Sequence, residues 1–207
     1  MKKIASLVII LFLNLVIGNA QSGDTLKTKQ WEINAEINLY LIRDDVFLLP
    51  VFRANKNVLH LEGRYNYEDY QTFSAWAGYN FRGGKKLEYV FTPMLGGLIG
   101  NTKGMAVALE MNLTYKKFDF YSEIEYLADA EGRDNDYLYD WTDFTYSPKE
   151  WLWLGISAQR TRLVQTPLEI QRGILVGAGF KGWELSAYVF DLGFPQPYGV
   201  ITLSYNH

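Results

Sequence analysis

From Gln30 to the end of the chain, apolar and polar residues alternate with a period of two, the spacing that sends successive side chains to opposite faces of a β-strand. In the first segment Trp31, Ile33, Ala35, Ile37, Leu39 and Leu41 form one face, and Glu32, Asn34, Glu36, Asn38 and Tyr40 form the other. Met105, Val107, Leu109, Met111, Leu113 and Tyr115 likewise oppose Ala106, Ala108, Glu110, Asn112 and Thr114. Trp183, Leu185, Ala187 and Val189 oppose Glu184, Ser186, Tyr188 and Phe190, and the pattern persists to Tyr205. No stretch of this region has helical periodicity.

The pattern predicts about twelve strands, near 30–43, 46–53, 57–68, 71–82, 86–99, 104–115, 118–128, 136–147, 150–162, 168–180, 183–190 and 197–207. Pro50 and Pro93 fall inside two of them. A proline cannot donate to a ladder, so each marks a bulge, a strand end or an interruption. The connections alternate in length. Arg82 to Lys86, Lys116-Lys117, Ser147 to Lys149 and Lys181-Gly182 are short, whereas Ala128 to Asp136, Arg162 to Leu168 and Asp191 to Gln196 are longer. Short turns at one end and longer loops at the other are the mark of a barrel that crosses an outer membrane.

A soluble sandwich shares this alternation but hides its apolar face, whereas a membrane barrel turns that face to lipid. The aromatic residues favour the barrel. Trp31, Phe81, Tyr115, Phe118, Tyr146 and Trp183 gather at the turn side, and Tyr65, Tyr67, Tyr126 and Tyr198 at the loop side, as interfacial girdles do. Met1 to Ala20 reads as a signal peptide: Lys2 and Lys3 precede the apolar run Ile4 to Ile17, and Gly18-Asn19-Ala20 supplies small residues for cleavage. Residues 21–29 read as a short polar tail and 30–207 as the barrel.

At this point the sequence resembles the small, porin-like outer-membrane β-barrel proteins of Gram-negative bacteria. The resemblance is one of pattern over 30–207, with no family-specific motif. Asn206 and His207 depart from it by following Tyr205, where many such barrels end on the aromatic. It implies an all-β, antiparallel transmembrane barrel in the bacterial outer membrane, with outer-membrane lipid around it.

Composition narrows the chemistry. The 207 residues are 48% hydrophobic, 16% aromatic and 21% charged, which excludes a disordered chain. The net charge of −3 comes without a basic block, so no nucleic-acid partner is expected. Removal of Lys2 and Lys3 leaves 18 basic against 23 acidic residues, a net −5. The absence of cysteine excludes disulfides, thiolate metal sites and a cysteine nucleophile. Only His60 and His207 are histidines, so no His-built metal centre and no cofactor is expected.

If the apolar face meets lipid, the other face lines a lumen. It carries Glu32, Glu36, Glu62, Glu68, Glu88, Glu110, Glu123, Glu125 and Glu184, with Arg64 and some of Arg160, Arg162 and Arg172 as counter-charges. A two-residue turn at Lys116-Lys117 sets Tyr115 opposite Phe118 and therefore Glu110 opposite Glu123. Like charges so placed need compensation, by an arginine from across the lumen, a shared proton or a bound cation. Glu62 and Arg64 point the same way. With Tyr67 opposite Phe73, Arg64 would face Trp76 and His60 would face Asn80. The expected lining residues are Glu32, Glu36, His60, Glu62, Arg64, Trp76, Glu110, Asn112, Glu123 and Glu125.

The leading functional expectation is a narrow pore or solute channel whose acidic lumen favours small cationic solutes. The alternatives are a closed barrel that meets a partner through its loops, in which the Glu62–Asp69 cluster fills the lumen, and an outer-membrane hydrolase. The last is disfavoured because His60 has no evident serine and acid partner, and His207 is read as a mobile terminus. Asp134-Asn135-Asp136 lacks the glycine and distal glutamate of an EF-hand loop and reads as a solvated acidic loop. Gly96-Gly97 precedes no helix. It reads as relief of crowding in a curved sheet rather than a phosphate loop.

Overall fold

The computed structural model describes residues 30–163 and 170–207. The signal-peptide and tail segments, and most of the Arg162 to Leu168 loop, lie outside the described residues. The strands are β1 (Glu32–Ile42), β2 (Asp45–Lys56), β3 (Leu59–Tyr65), β4 (Phe73–Tyr79), β5 (Phe81–Gly83), β6 (Glu88–Ile99), β7 (Gly104–Tyr115), β8 (Phe118–Asp129), β9 (Tyr137–Lys149), β10 (Leu152–Leu163), β11 (Gln171–Phe180), β12 (Trp183–Phe190) and β13 (Tyr198–Asn206). Every pairing is antiparallel, and each strand pairs with its neighbours in sequence except β4 and β5, which do not pair with each other. β1 also pairs with β13, which closes the ring. β4 and β5 both pair with β6 and are two pieces of one barrel strand, so the barrel has twelve.

The two prolines explain the irregularities. β3 pairs with β2 only as far as Val51, so Pro50 stands just beyond the ladder, where no N–H is needed. Pro93 stands level with the gap between β4 and β5. There Asn80 leaves the ladder to β6: its N–H donates to the Val58 carbonyl at 2.7 Å, and its side chain accepts from Thr92 at 2.7 Å. The Lys181-Gly182 turn has φ of 50° and 83°, the doubly left-handed form that suits strand twist. The turn expected at Ser147 to Lys149 falls instead at Glu150-Trp151, next to an irregular register between Leu152 and Leu154. Arg43-Asp44 makes one loop-side connection as tight as a turn.

Apolar side chains face outward. Met105, Ile99, Ile156 and Leu95 are 69%, 67%, 62% and 61% exposed, and the same belt runs through Val107, Ile174 and Leu185. So much exposed apolar surface would aggregate in water and is satisfied by lipid. The aromatics expected at the turn side all face outward, as do Tyr65 and Tyr126. Tyr67 and Tyr198 do not: both lie inside the barrel. Tyr198 has the parity of buried Val200, and it stacks on Phe190 with centroids 5.0 Å apart.

Three further expectations are corrected. Arg160 and Arg172 share the parity of exposed Ile156 and Ile174, which puts them on the outer wall rather than in the lumen. Arg160 there stands opposite Asp140. The β3–β4 register is Tyr65 opposite Phe73, so Glu62 faces Trp76, Arg64 faces Ser74 and His60 faces Gly78. The strand stops three residues earlier than the predicted 57–68, because Asn66 adopts φ 59° and turns the chain inward. His207 is held rather than free: its N–H donates to the Ile33 carbonyl at 2.9 Å, and it accepts from the Ile33 N–H at 3.0 Å.

Candidate functional site

The lumen divides into two regions of different character. Toward the loops it is filled. Trp76, Met94, Leu98, Ala106, Ala108, Leu127 and Tyr137 pack as one cluster, and Phe190, Tyr198 and Val200 as another against Tyr40, Trp141 and Tyr188. Gly96 makes room for the Trp76 indole, since a Cβ there would lie 2.4 Å from the ring, but a Cβ at Gly97 would meet nothing within 4 Å, so the crowding expected of the pair holds for Gly96 alone. Toward the turns lies a polar cavity of about 550 Å³ lined by Asn34, Glu36, Arg53, His60, Glu110 and Glu184 among others. It meets solvent at Arg82 and Asn112, both exposed.

Between the two regions sits a charge network centred on Arg64, which is 1% exposed. Arg64 Nε donates to Glu62 Oε1 at 2.7 Å, and Nη1 lies 2.7 Å from Glu123 Oε1 and 3.2 Å from Glu125 Oε2. The guanidinium is held between the rings of Tyr67 and Trp76, at 4.4 and 4.8 Å from their centroids. The Trp76 contact is therefore diagonal across the hairpin, not between facing residues. Tyr67 reaches inward from the 66–72 loop and donates its hydroxyl to Glu123 Oε2 at 3.0 Å. Glu68 follows it in, accepting from Ser74 Oγ at 2.5 Å with Arg64 Nη1 at 3.7 Å. Burial raises the Glu68 carboxyl above its ordinary pKa, and Arg64 pulls it the other way.

Glu110 does stand opposite Glu123, as the Lys116-Lys117 turn requires. The compensation uses two arginines and a tyrosine. Arg64 contacts Glu123, and Arg53 Nε lies 3.9 Å from Glu110 Oε1. Tyr121 bridges the pair, its hydroxyl 3.3 Å from Glu110 and 3.1 Å from Glu123. Arg53 also reaches Glu36 at 2.9 Å and Glu62 at 3.5 Å.

The ten expected lining residues thus fall into two groups. Glu36, His60 and Glu110 line the cavity, Asn112 stands at its mouth, and Glu32 lies at the rim, paired with Arg82 at 3.2 Å. Glu62, Arg64, Trp76, Glu123 and Glu125 form the closed network. Arg53, Tyr67, Tyr121, Tyr139 and Asp143 are inner residues that sequence reasoning missed. β2 is apolar at both parities around Pro50, so no face can be read there. A charge inside a spanning strand was nevertheless a signal for Arg53, since lipid excludes it. Among the described residues, His60 is partnered by Asn55 and Glu62 rather than by a serine.

No family model matches the chain, and no curated protein matches it either. Solved structures do. A KdgM porin superposes with a TM-score of 0.63 at 10% identity, over 83% of this chain and 98% of that one. A KdgM porin in complex with disordered oligogalacturonate gives 0.61 at 9%, over 84% and 98%. The Acinetobacter baumannii outer membrane protein Omp33 gives 0.51 at 7%, over 86% and 98%. The chain therefore has the fold of the outer-membrane porin-like barrels. The apolar outer wall agrees with that fold.

Proposed function

We propose that this protein is a narrow solute channel of the bacterial outer membrane, exported by the segment 1–20. Its turn-side half is an acidic vestibule, and its loop-side half is held closed by the Arg64 network in the conformation described. The observation that carries this reading is the polar cavity of about 550 Å³ inside a closed barrel whose outer wall is apolar. A structural protein needs no such chamber. The KdgM likeness supports a channel but not the same solute: an oligogalacturonate is a polyanion, whereas this chamber sets Glu36, Glu110, Asp143 and Glu184 against Arg53 and Arg82. An acidic wall of low dielectric concentrates cations.

The test is conductance of the purified protein in a planar bilayer. Discrete cation-selective steps are expected, with selectivity reduced in the double variant Glu36→Gln, Glu110→Gln. Silence from folded, inserted protein would overturn the channel and favour the second reading, a closed barrel acting through its loops. The buried Arg64 network is the observation behind that second reading.

A further inference from the structure

We propose that His60, Glu62 and Glu110 form a binding site for a first-row divalent metal ion at the inner end of the turn-side cavity. All three side chains are buried, and one ligand atom from each lies within 4.8 Å of the others. His60 and Glu62 share the inner face of β3, and Glu110 comes from β7.

The histidine is oriented as a ligand. Thr92 Oγ1 donates to Asn80 Oδ1 at 2.7 Å, and Asn80 Nδ2 donates to Asn55 Oδ1 at 2.7 Å. His60 Nδ1 lies 2.9 Å from that same Asn55 oxygen, which can only accept, so Nδ1 carries the proton. Nε2 lies 3.2 Å from Glu62 Oε2, a carboxylate oxygen that also can only accept, so a neutral imidazole in this tautomer would set two lone pairs against each other. Two lone pairs at that distance repel unless a positive centre sits between them. A ring N–H given to an oxygen, leaving the other nitrogen free, is how metal-binding histidines are held.

Glu62 is divided in the same sense. Its Oε1 receives Arg64 Nε at 2.7 Å and faces Arg53 Nε at 3.5 Å, which leaves Oε2 to His60. Charge points the same way. Arg53 and Arg64 together contact six carboxylates, those of Glu36, Glu62, Glu68, Glu110, Glu123 and Glu125. Two guanidinium charges cannot neutralise them. One imidazole and two carboxylates suit a borderline ion such as Zn²⁺ or Co²⁺ better than Mg²⁺ or Ca²⁺, which prefer oxygen alone. Metal–ligand bonds of about 2.1 Å in a tetrahedron place donors about 3.4 Å apart, close to the His60–Glu62 separation. Water from the cavity completes the shell. The site stands on its own geometry and does not require the barrel to conduct.

The test uses untagged protein purified in detergent micelles, titrated with Zn²⁺ by calorimetry and with Co²⁺ by visible absorption. One equivalent is expected to bind, and a tenfold excess of Mg²⁺ should not displace it. His60→Ala and Glu110→Gln, checked for unchanged β-sheet circular dichroism, should each weaken binding at least tenfold. His207→Ala should leave it unchanged. In that variant His60 is the sole histidine, so its ¹⁵N resonances report the site directly: Zn²⁺ should shift Nε2 and spare the Nδ1 proton. No Zn²⁺ binding, with both ring nitrogens protonated, would mean that a proton alone bridges the pair and would overturn the site. Binding that Mg²⁺ displaces, or that His60→Ala leaves intact, would show diffuse counterion attraction and overturn it equally.

Discussion

The two halves of the lumen share the same strands, the same inward parity and the same circumference, yet one is filled and the other open. The difference is side-chain size and loop conformation. Inner positions near the loops carry Trp76, Leu98, Leu127, Tyr137, Phe190 and Tyr198. Their counterparts near the turns include short polar residues, among them Asn34, Asn55, Thr202 and Ser204, and charged ones such as Glu36 and Glu110. The 66–72 loop then adds Tyr67 to the filled half. Strand number sets how wide a barrel is, but what stands on its inner face decides whether width becomes space.

The largest effect should come from the boundary between the halves. Arg64→Met takes from buried Glu62, Glu123 and Glu125 the guanidinium they share. It should cost about 3–5 kcal/mol in urea unfolding of the lipid-inserted protein. If the network is also what closes the channel, conductance of the surviving folded fraction should rise. Leu127→Ala, in the packed half, should cost about 3 kcal/mol by the same measurement, since the cavity it leaves cannot collapse. Thr202→Val, in the open half, loses a 2.6 Å bond to Asn38 beside solvent and should cost about 1 kcal/mol or less. Equal costs for these two variants would erase the distinction between the halves.

Gly96→Ala tests the seat of the Trp76 indole. The added methyl must displace the ring, at about 1–3 kcal/mol, with a shift in tryptophan fluorescence. A smaller effect concerns Asp136, which accepts the Asp129 N–H and the Tyr126 hydroxyl, both at 2.8 Å. The Asp129 N–H holds its carboxyl below the ordinary pKa, and the Tyr126 hydroxyl adds to this. A depressed folded value stabilises above the unfolded pKa of about 3.9 and is lost as pH falls through the lower folded value. Amide exchange at Asp129, corrected for its intrinsic acid dependence, should therefore accelerate in that acidic window and not between pH 5 and 8. Smallest of all, Glu32→Gln breaks an exposed rim pair with Arg82 and should change stability by no more than about 0.5 kcal/mol.

Most of the architecture was legible because alternation is local. Strand number, the outward apolar belt, and the Glu110–Glu123 pairing all follow from period two and a two-residue turn at Lys116-Lys117. The doubts raised by Pro50 and Pro93 also fell where the ladders end or break. Legibility failed where a side chain's position depends on contacts distant in sequence. Tyr67 continues the outward parity of β3 on paper, but Asn66 at φ 59° sends it inside. Arg53 follows a segment with no readable face, and Arg160 sits on the outer wall opposite Asp140.

By itself the sequence determined a membrane barrel of about twelve strands and a set of charged residues held away from lipid, because hydrophobic burial acts on each residue through the parity of its own strand. Tertiary structure alone decided which of those charges meet. The two arginines, the tyrosine hydroxyls and the His60–Glu62–Glu110 group come together across strands far apart in the chain. Their partners are chosen by depth along the barrel and by how one loop folds inward, and no local periodicity encodes either.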